Sequence, residues 1–509
     1  MDFPILTLLI VIPLIGAILT LIMGGSRQRY AKFIAGAFSA VDLILAVYLM
    51  TLSNDFGSLA ESYTWISTNF ISISFSLAID GLSILMVFLT ALLVLLVVIF
   101  SSEEEEVEGD RPNYFHTLLL AMEVGLMGVY TASDYFLFYV MWEITLIPMY
   151  FMISWYGGPR RHYAAIKFFI YTHVASLVML IGIFAMGFKA AEMAGGAIDF
   201  SFDAINSLMP YTNEGFQALV FALLFFGFAV KMPAVPFHTW LPDAHTEAPT
   251  GGSVLLAGVM LKMGSYGIIR VCLEAFPLGA NYWQWVIIAI GLVSIVYGAY
   301  ACIAQKDLKK MVAFSSISHM GMVMLGIGCL SDAGITFAVF QMFAHGLITG
   351  ILFMVCGMAG HKIGTREIPL LGGIAGRMPK FATFMMFSFM ASLGLPGLVG
   401  FWGEFPVIFA FYEFIVANDM LWLLLFCMLS LMLTAGYYLW AMQRTLFGPE
   451  TTKIDLSHVH DVNRTEFIAM GVLCALVAIF GMWPDGALQF IEPFTQPLAE
   501  NLATFGGMI

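Results

Sequence analysis

The chain has 509 residues, of which 60% are hydrophobic and only 11% charged. A soluble domain carries about a quarter charged residues, so that class is excluded, and a formal net charge of −13 argues against a nucleic-acid partner. The length instead supplies many membrane spans of about 20 apolar residues each.

Fourteen apolar segments are predicted in chain order, at roughly 3–23, 30–52, 80–101, 114–131, 134–156, 164–188, 216–240, 249–275, 283–303, 309–330, 333–360, 380–414, 420–446 and 465–483. The first lacks a basic leader and a small-residue cleavage site, so it reads as a retained span. Glycines punctuate several segments, as in "LIGIFAMGF" and "GMVMLGIGCL"; small residues let helices approach closely, which predicts one compact bundle. Residues 190–213 are too polar to span and are expected along a surface. Six cysteines lie singly in apolar stretches with no C-x-x-C pair, which reads as core packing rather than a cluster site or disulfide framework.

Most of the 21 Lys and Arg fall in the loops that follow odd-numbered spans: Arg27–Lys32, Arg111, Arg160–Arg161, Lys306–Lys310, Lys362–Lys380, and Arg444–Arg464. By the positive-inside rule these loops face the cytoplasm and both termini face out, which predicts a multi-pass protein of the cell membrane. The acidic loop "SSEEEEVEGDR" (Ser101–Arg111) falls on the same side. It reads as a solvated loop, with a basic partner subunit as the sharper alternative.

An ionisable residue inside a span costs at least about 2.5–3.5 kcal/mol, so it is a functional candidate by default. Glu123 lies on the fourth span, Glu143 on the fifth, Lys231 on the seventh, Lys262 on the eighth, His319 on the tenth, His345 on the eleventh and Glu404 on the twelfth. Any one of them alone has a plain structural reading. A buried lysine can pair with a glutamate to set helix register, a buried histidine is usually a satisfied core residue, and Lys167 can snorkel to the surface. A row of such groups at similar depth is what a proton relay requires.

Two of these residues sit beside prolines. Pro233 and Pro236 follow Lys231; Pro396 and Pro406 flank Glu404. Both helices are expected to break in mid-membrane. Irregular backbone at that depth survives only inside protein or along a wet cavity, so proline and charge together predict a hydrated polar seam. The pattern also echoes itself: a titratable group is followed, two helices later, by another on a broken helix. Paired interrupted helices point to inverted repeats.

The stretches "FYVMWEITLIPMYF", "VKMPAVPFHTWLPDAHTEAPTGGSVLLAGVMLKMGSYGIIR", "KKMVAFSSISHMG", "FAHGLITGILFM" and "LPGLVGFWGEF" resemble the M-type antiporter-like subunits of respiratory complex I and related archaeal and bacterial membrane dehydrogenases. The resemblance runs through most of the chain and is weakest in the first span and beyond about residue 450. It implies an all-α fold of fourteen helices with two inverted five-helix repeats and broken seventh and twelfth helices. The corresponding division is 1–110 for an N-terminal three-helix region, 111–275 and 276–446 for the repeats, and 447–509 for a C-terminal helix and tail. It implies a proton-translocating subunit of an NADH:quinone, F420H2 or ferredoxin oxidoreductase. Flavin, iron–sulfur clusters and a quinone or phenazine would sit in partner subunits and no cofactor in this chain; the partners are other antiporter-like and membrane subunits. Glu143 then matches the glutamate that pairs with the seventh-helix lysine, Lys231 that lysine, Lys262 the central eighth-helix lysine, His319 and His345 the linking groups and Glu404 the terminal group. A glutamate at 404 resembles the M-type, since related types usually carry lysine. Glu123 matches no core motif.

A carboxylate beside a buried lysine favours its charged form, so weakening a Glu143–Lys231 pair would favour proton release toward Lys262. His238, Asp243 and His245 in "FHTWLPDAH" have metal-like chemistry, but a loop at the cytoplasmic mouth suits proton uptake better. The rival readings are a subunit of a multisubunit Na+/H+ antiporter, a membrane-bound hydrogenase subunit, and a passive scaffold that retains its charges.

Overall fold

The computed structural model of the chain describes residues 4–104, 107, 109, 111–457 and 459–506. All fourteen expected segments are helical. In chain order they are α1 (Ile5–Leu21), α2 (Ala31–Thr51), α3 (Gly81–Ser101), α4 (Pro112–Thr131), α5 (Tyr135–Tyr156), α6 (Arg161–Ala194), then α7 (Glu214–Lys231) and α8 (Trp240–Glu247) as the two halves of one span. They continue as α9 (Thr250–Leu273), α10 (Pro277–Ile303), α11 (Leu308–Gly328) and α12 (Asp332–Ile363). The halves α13 (Pro379–Ser392) and α14 (Val399–Ala417) follow, then α15 (Leu424–Leu446), α16 (Arg464–Met482) and a final α17 (Asp485–Gly506). Twelve described helices are long and apolar enough to cross a membrane.

Apolar content alone does not say which helix is central, because every span is apolar. The packing decides it. α3, α9, α11 and α12 are enclosed almost completely, whereas fewer than half of the residues on α2, α15 and α16 are buried. Lys262, His319 and His345 therefore ride on enclosed helices. The helix starts are conventionally capped: Asp80, Asp134, Asp307 and Ser331 each accept backbone N–H groups of the first turn, which satisfies donors that have no intrahelical partner. Asp80 also takes Arg270 of α9. Burial pushes the Asp80 carboxyl up, and the charge and hydrogen bonds of Arg270 outweigh it, holding the group below its ordinary value.

Both broken spans are present, each with its own way of satisfying freed backbone. Between α7 and α8 the Val230 carbonyl accepts from Trp240 Nε1 at 3.0 Å, and the Val235 amide donates to Ser294 Oγ at 3.1 Å. Between α13 and α14 the chain turns through Gly394 (φ +79°) and Gly397 (φ +92°), a left-handed backbone that glycine adopts without a Cβ clash. The twelfth-span break thus lies at 393–398 around Pro396. Pro406 does not contribute to it and sits inside α14. The eighth span has an irregularity the sequence did not suggest: two π-helical turns, Leu256–Met260 and Ile268–Leu273, bracket Lys262.

Two other regions carry structure that hydropathy does not reveal. Residues 61–77, left unassigned by the hydropathy reading, form an antiparallel hairpin, β1 (Glu61–Ser67) and β2 (Ile71–Leu77), with Glu61 opposite Leu77. Residues 190–213 hold short elements of their own. α6 runs on to Ala194, and β3 (Ile198–Asp199) then joins β2 in parallel before a short helix at Phe202–Asn206. Of the acidic loop, Glu105, Glu106, Glu108 and Asp110 lie outside the described residues. Glu104 approaches His361 at 3.3 Å.

Candidate functional site

Three enclosed helices and α14 bring four of the expected residues into one row. Lys262 Nζ donates to the Ala257 carbonyl, in the first π-turn of its own helix, and lies 2.7 Å from His345 Nδ1. A π-turn bonds i to i+5 and disturbs the regular ladder, which is why such turns recur at functional positions; here a carbonyl of that turn receives the amine. The rings of His345 and His319 are 5.5 Å apart. His319 Nδ1 lies 2.7 Å from Glu404 Oε1, and its Nε2 lies 3.1 Å from Ser392 Oγ. Ser392 continues to Tyr438 at 2.7 Å, and Tyr438 donates to Ser315 at 3.1 Å. A void of about 10 Å3 lies among His319, Gln341, His345, Ser392 and Glu404, close to the smallest space that holds a water.

Glu143 and Lys231 do not form the expected contact. Glu143 Oε2 is 2.8 Å from His173 Nδ1 on α6, and both side chains are partly exposed. Lys231 Nζ has no hydrogen-bond partner among the described residues. It sits 5.6 Å from the ring centroids of both Trp142 and Phe168, and Glu143 is the charged group that acts on it. An ammonium against aromatic faces is held by their quadrupoles, at about 2 kcal/mol when desolvated. The reason for the difference is geometric. Trp142 precedes Glu143 on α5, so the indole occupies the side of the helix that faces Lys231 and the carboxylate points toward α6. Gly264 closes the gap from behind: a Cβ there would stand 2.5 Å from the Phe228 carbonyl and 2.7 Å from the Met232 amide, so α9 presses directly on the α7 break.

The residues of the α8 region go separate ways. Asp243 pairs with Lys167 at 2.7 Å, so Lys167 is a paired group. His238 packs on Tyr297 with ring centroids 4.7 Å apart. His245 is fully buried and stacks on Phe353 at 4.4 Å. The three do not converge on a common point. Glu123 is fully buried and accepts from Ser39 at 3.3 Å. It lies beside buried Asp42 of α2, apart from the row.

The sequence reading missed His173, Ser392, Tyr438 and the burial of Lys309. His173 carried a usable signal, a histidine in mid-span. Ser392 and Tyr438 carried none, because serine and tyrosine are ordinary in apolar helices. Lys309 reads as a loop cation, yet it is only 2% exposed.

Interrupted helices around a buried polar row are the architecture of secondary transporters and their derivatives. The match to known proteins narrows this. Residues 132–434 fit the family described as NADH:quinone oxidoreductase/Mrp antiporter, TM. The chain is 41% identical to the F(420)H(2) dehydrogenase subunit M of Methanosarcina mazei, across 99% of both chains. It is 37% identical to the NADH-quinone oxidoreductase subunit M of Rhodobacter capsulatus, over 94% of this chain and 92% of that one. Among solved structures, a chain of respiratory complex I from Thermus thermophilus superposes with a TM-score of 0.86 at 28% identity, covering 98% of this chain and 99% of that one. A chain of the Mrp complex from Dietzia sp. shares the fold at a TM-score of 0.84 and 20% identity, covering 99% of each. The chain belongs to this NADH:quinone oxidoreductase/Mrp antiporter family, as an M-type antiporter-like membrane subunit.

Proposed function

We propose that this chain moves protons across the membrane through Lys231, Lys262, His345, His319 and Glu404, with Glu143 as the electrostatic control on Lys231. The observation that carries the reading is the run from Lys262 to Glu404, in which each member is within hydrogen-bond or ring-contact distance of the next. Electron transfer would occur in partner subunits that hold the flavin, the iron–sulfur clusters and the quinone or phenazine. The donor is a reduced nicotinamide or reduced F420, as the names of similar subunits print. The two broken spans correspond, in this reading, to two inverted repeats at 111–275 and 276–446. The face that bears Arg160, Arg161, Lys310 and Arg366 is cytoplasmic, and both termini are outside.

The energy scale suits this. Moving one proton against about 150 mV costs about 3.5 kcal/mol. Coulomb energy between unit charges a few ångströms apart at an effective dielectric near 20 is about 4 kcal/mol. Approach or withdrawal of one carboxylate near Lys231 therefore spans the required range. The state described here has Glu143 on His173 and Lys231 against aromatic rings, which is the withdrawn arrangement of that pair.

The test is Lys231→Ala in the intact parent complex, reconstituted into sealed vesicles. The expected outcome is normal assembly with proton uptake lost by about tenfold or more, equivalent to a barrier change of at least about 1.4 kcal/mol. Wild-type pumping by the assembled variant removes Lys231 from the path. A passive scaffold predicts that result for Glu404 variants as well.

A further inference from the structure

A second set of buried titratable groups lies away from the row, between α2 and α4. Asp42 of α2 and Glu123 of α4 are both fully buried. Ser39 is equally buried and lies one turn before Asp42 on the inward face of α2. Its Oγ donates to Glu123 Oε2 at 3.3 Å, so that face of α2 meets α4 at Glu123. The contact is close because α1 presses on it. A Cβ at Gly16 would stand 2.9 Å from Phe38 and 3.0 Å from Leu120, residues that adjoin Ser39 and precede Glu123 by one turn. Yet Asp42 Oδ1, Asp42 Oδ2 and Glu123 Oε1 have no hydrogen-bond partner among the described residues. Buried oxygens without donors cost free energy and call for a reason.

A neighbouring cation would supply one, and the surrounding helices have almost none to offer. α1 (Ile5–Leu21) and α3 (Gly81–Ser101) contain no ionisable side chain. On α2 the basic residue is Lys32, about 15 Å from Asp42 along the helix axis, and its Nζ donates to the Ser102 carbonyl at 2.8 Å. Arg27 and Arg29 lie further out on the same side. On α4 the basic residue is His116, about 10 Å from Glu123 along the axis. Two further helices touch α4 and carry charge. Glu143 of α5 is bonded to His173, and Lys262 of α9 to His345. Two adjacent carboxylates would thus be ionised without a counter-charge. They would repel each other, and each would also lose its hydration, at several kcal/mol per ion.

We propose that Asp42 and Glu123 are a proton-binding pair: a carboxyl O–H of one donates to an unpartnered oxygen of the other, in a site between α2 and α4 that is separate from the row. A protonated carboxyl has one donor and keeps acceptor capacity. One shared proton therefore gives an oxygen of Asp42 and Oε1 of Glu123 a partner and removes one negative charge. A second proton, on Glu123 Oε2, reaches the other Asp42 oxygen and leaves the pair uncharged, while Ser39 still donates to that Oε2. Only O–H bonds form, and no electrons move. The competing occupant is a sodium ion held by the same oxygens. A proton fits better because it needs no space in a closely packed contact, and among the described residues no third acid or histidine joins the pair to make a metal site. The site stands whether or not the row carries protons, since the two share no residue.

Infrared spectroscopy of the intact parent complex at neutral pH tests this. Wild type is compared with Asp42→Asn, Glu123→Gln and the double variant, which keep side-chain size and can still hydrogen-bond. The expected result is normal assembly, with a wild-type-minus-variant spectrum that contains the C=O stretch of a protonated carboxyl and shifts when the samples are prepared in D2O. The band should be lost in part in each single variant and entirely in the double variant. Should Asp42→Asn not assemble, Glu123→Gln gives the same reading by itself. Carboxylate stretches with no protonated band overturn the proposal. So does a protonated band that is present in potassium medium and replaced by carboxylate stretches in sodium medium, because the pair would then be a sodium site.

Discussion

The two broken spans carry the same kind of group in opposite states. At the seventh, Lys231 is buried, faces aromatic rings and has no hydrogen-bond partner among the described residues, while Glu143 is bonded to a half-exposed histidine. At the twelfth, Glu404 is tied to His319, which is tied to Ser392 and so to Tyr438 and Ser315. At one end the titratable group has no hydrogen-bond partner among the described residues, and at the other it is hydrogen-bonded. A buried charge without a partner is costly, whereas a fully connected network is rigid. The seventh-span region is therefore where small movements change energies most, and the twelfth-span region is where a proton would be held in defined geometry.

That contrast can be broken by experiment. Glu404→Gln keeps a hydrogen bond to His319 but removes the charge. Proton uptake by the intact complex is expected to fall about tenfold, the equivalent of about 1.4 kcal/mol in barrier height; uptake within twofold of wild type would show that the network serves packing alone. Glu143→Gln is expected to reduce uptake severalfold. Glu143→Asp should do less harm, because charge survives while reach shortens. Equal damage from Gln and Asp would point to the His173 contact, and not to charge, as the part that matters. His345→Ala should have the smallest effect, about two- to threefold (some 0.5 kcal/mol), because water can fill the space and bridge Lys262 to His319. A loss as deep as that of Glu404→Gln would make the imidazole itself indispensable.

Much of this architecture was legible in the chain. Hydropathy marked every span, because lipid demands about 20 apolar residues for each crossing. Prolines mark both interruptions, although at the twelfth only Pro396 lies at the break and Pro406 sits inside α14. The hairpin at 61–77 escaped because its signal is period-two alternation, as in "ISISFSL", and a hydropathy window averages that away. The titratable residues were visible since charge is rare in apolar helices. Their partners were not: His173, Ser392 and Tyr438 gain meaning only from what they face.

The sequence by itself determined that this is a polytopic helical membrane protein with two broken spans and buried acids, amines and imidazoles, because the cost of burying polar groups in lipid makes each exception conspicuous. Tertiary structure alone decided which of them meet. Side-chain direction around a helix and the close approach of α9 to the α7 break set Glu143 toward His173, left Lys231 among rings, and buried Lys309 beside a cavity. Those contacts join residues far apart in the chain, and no local pattern encodes them.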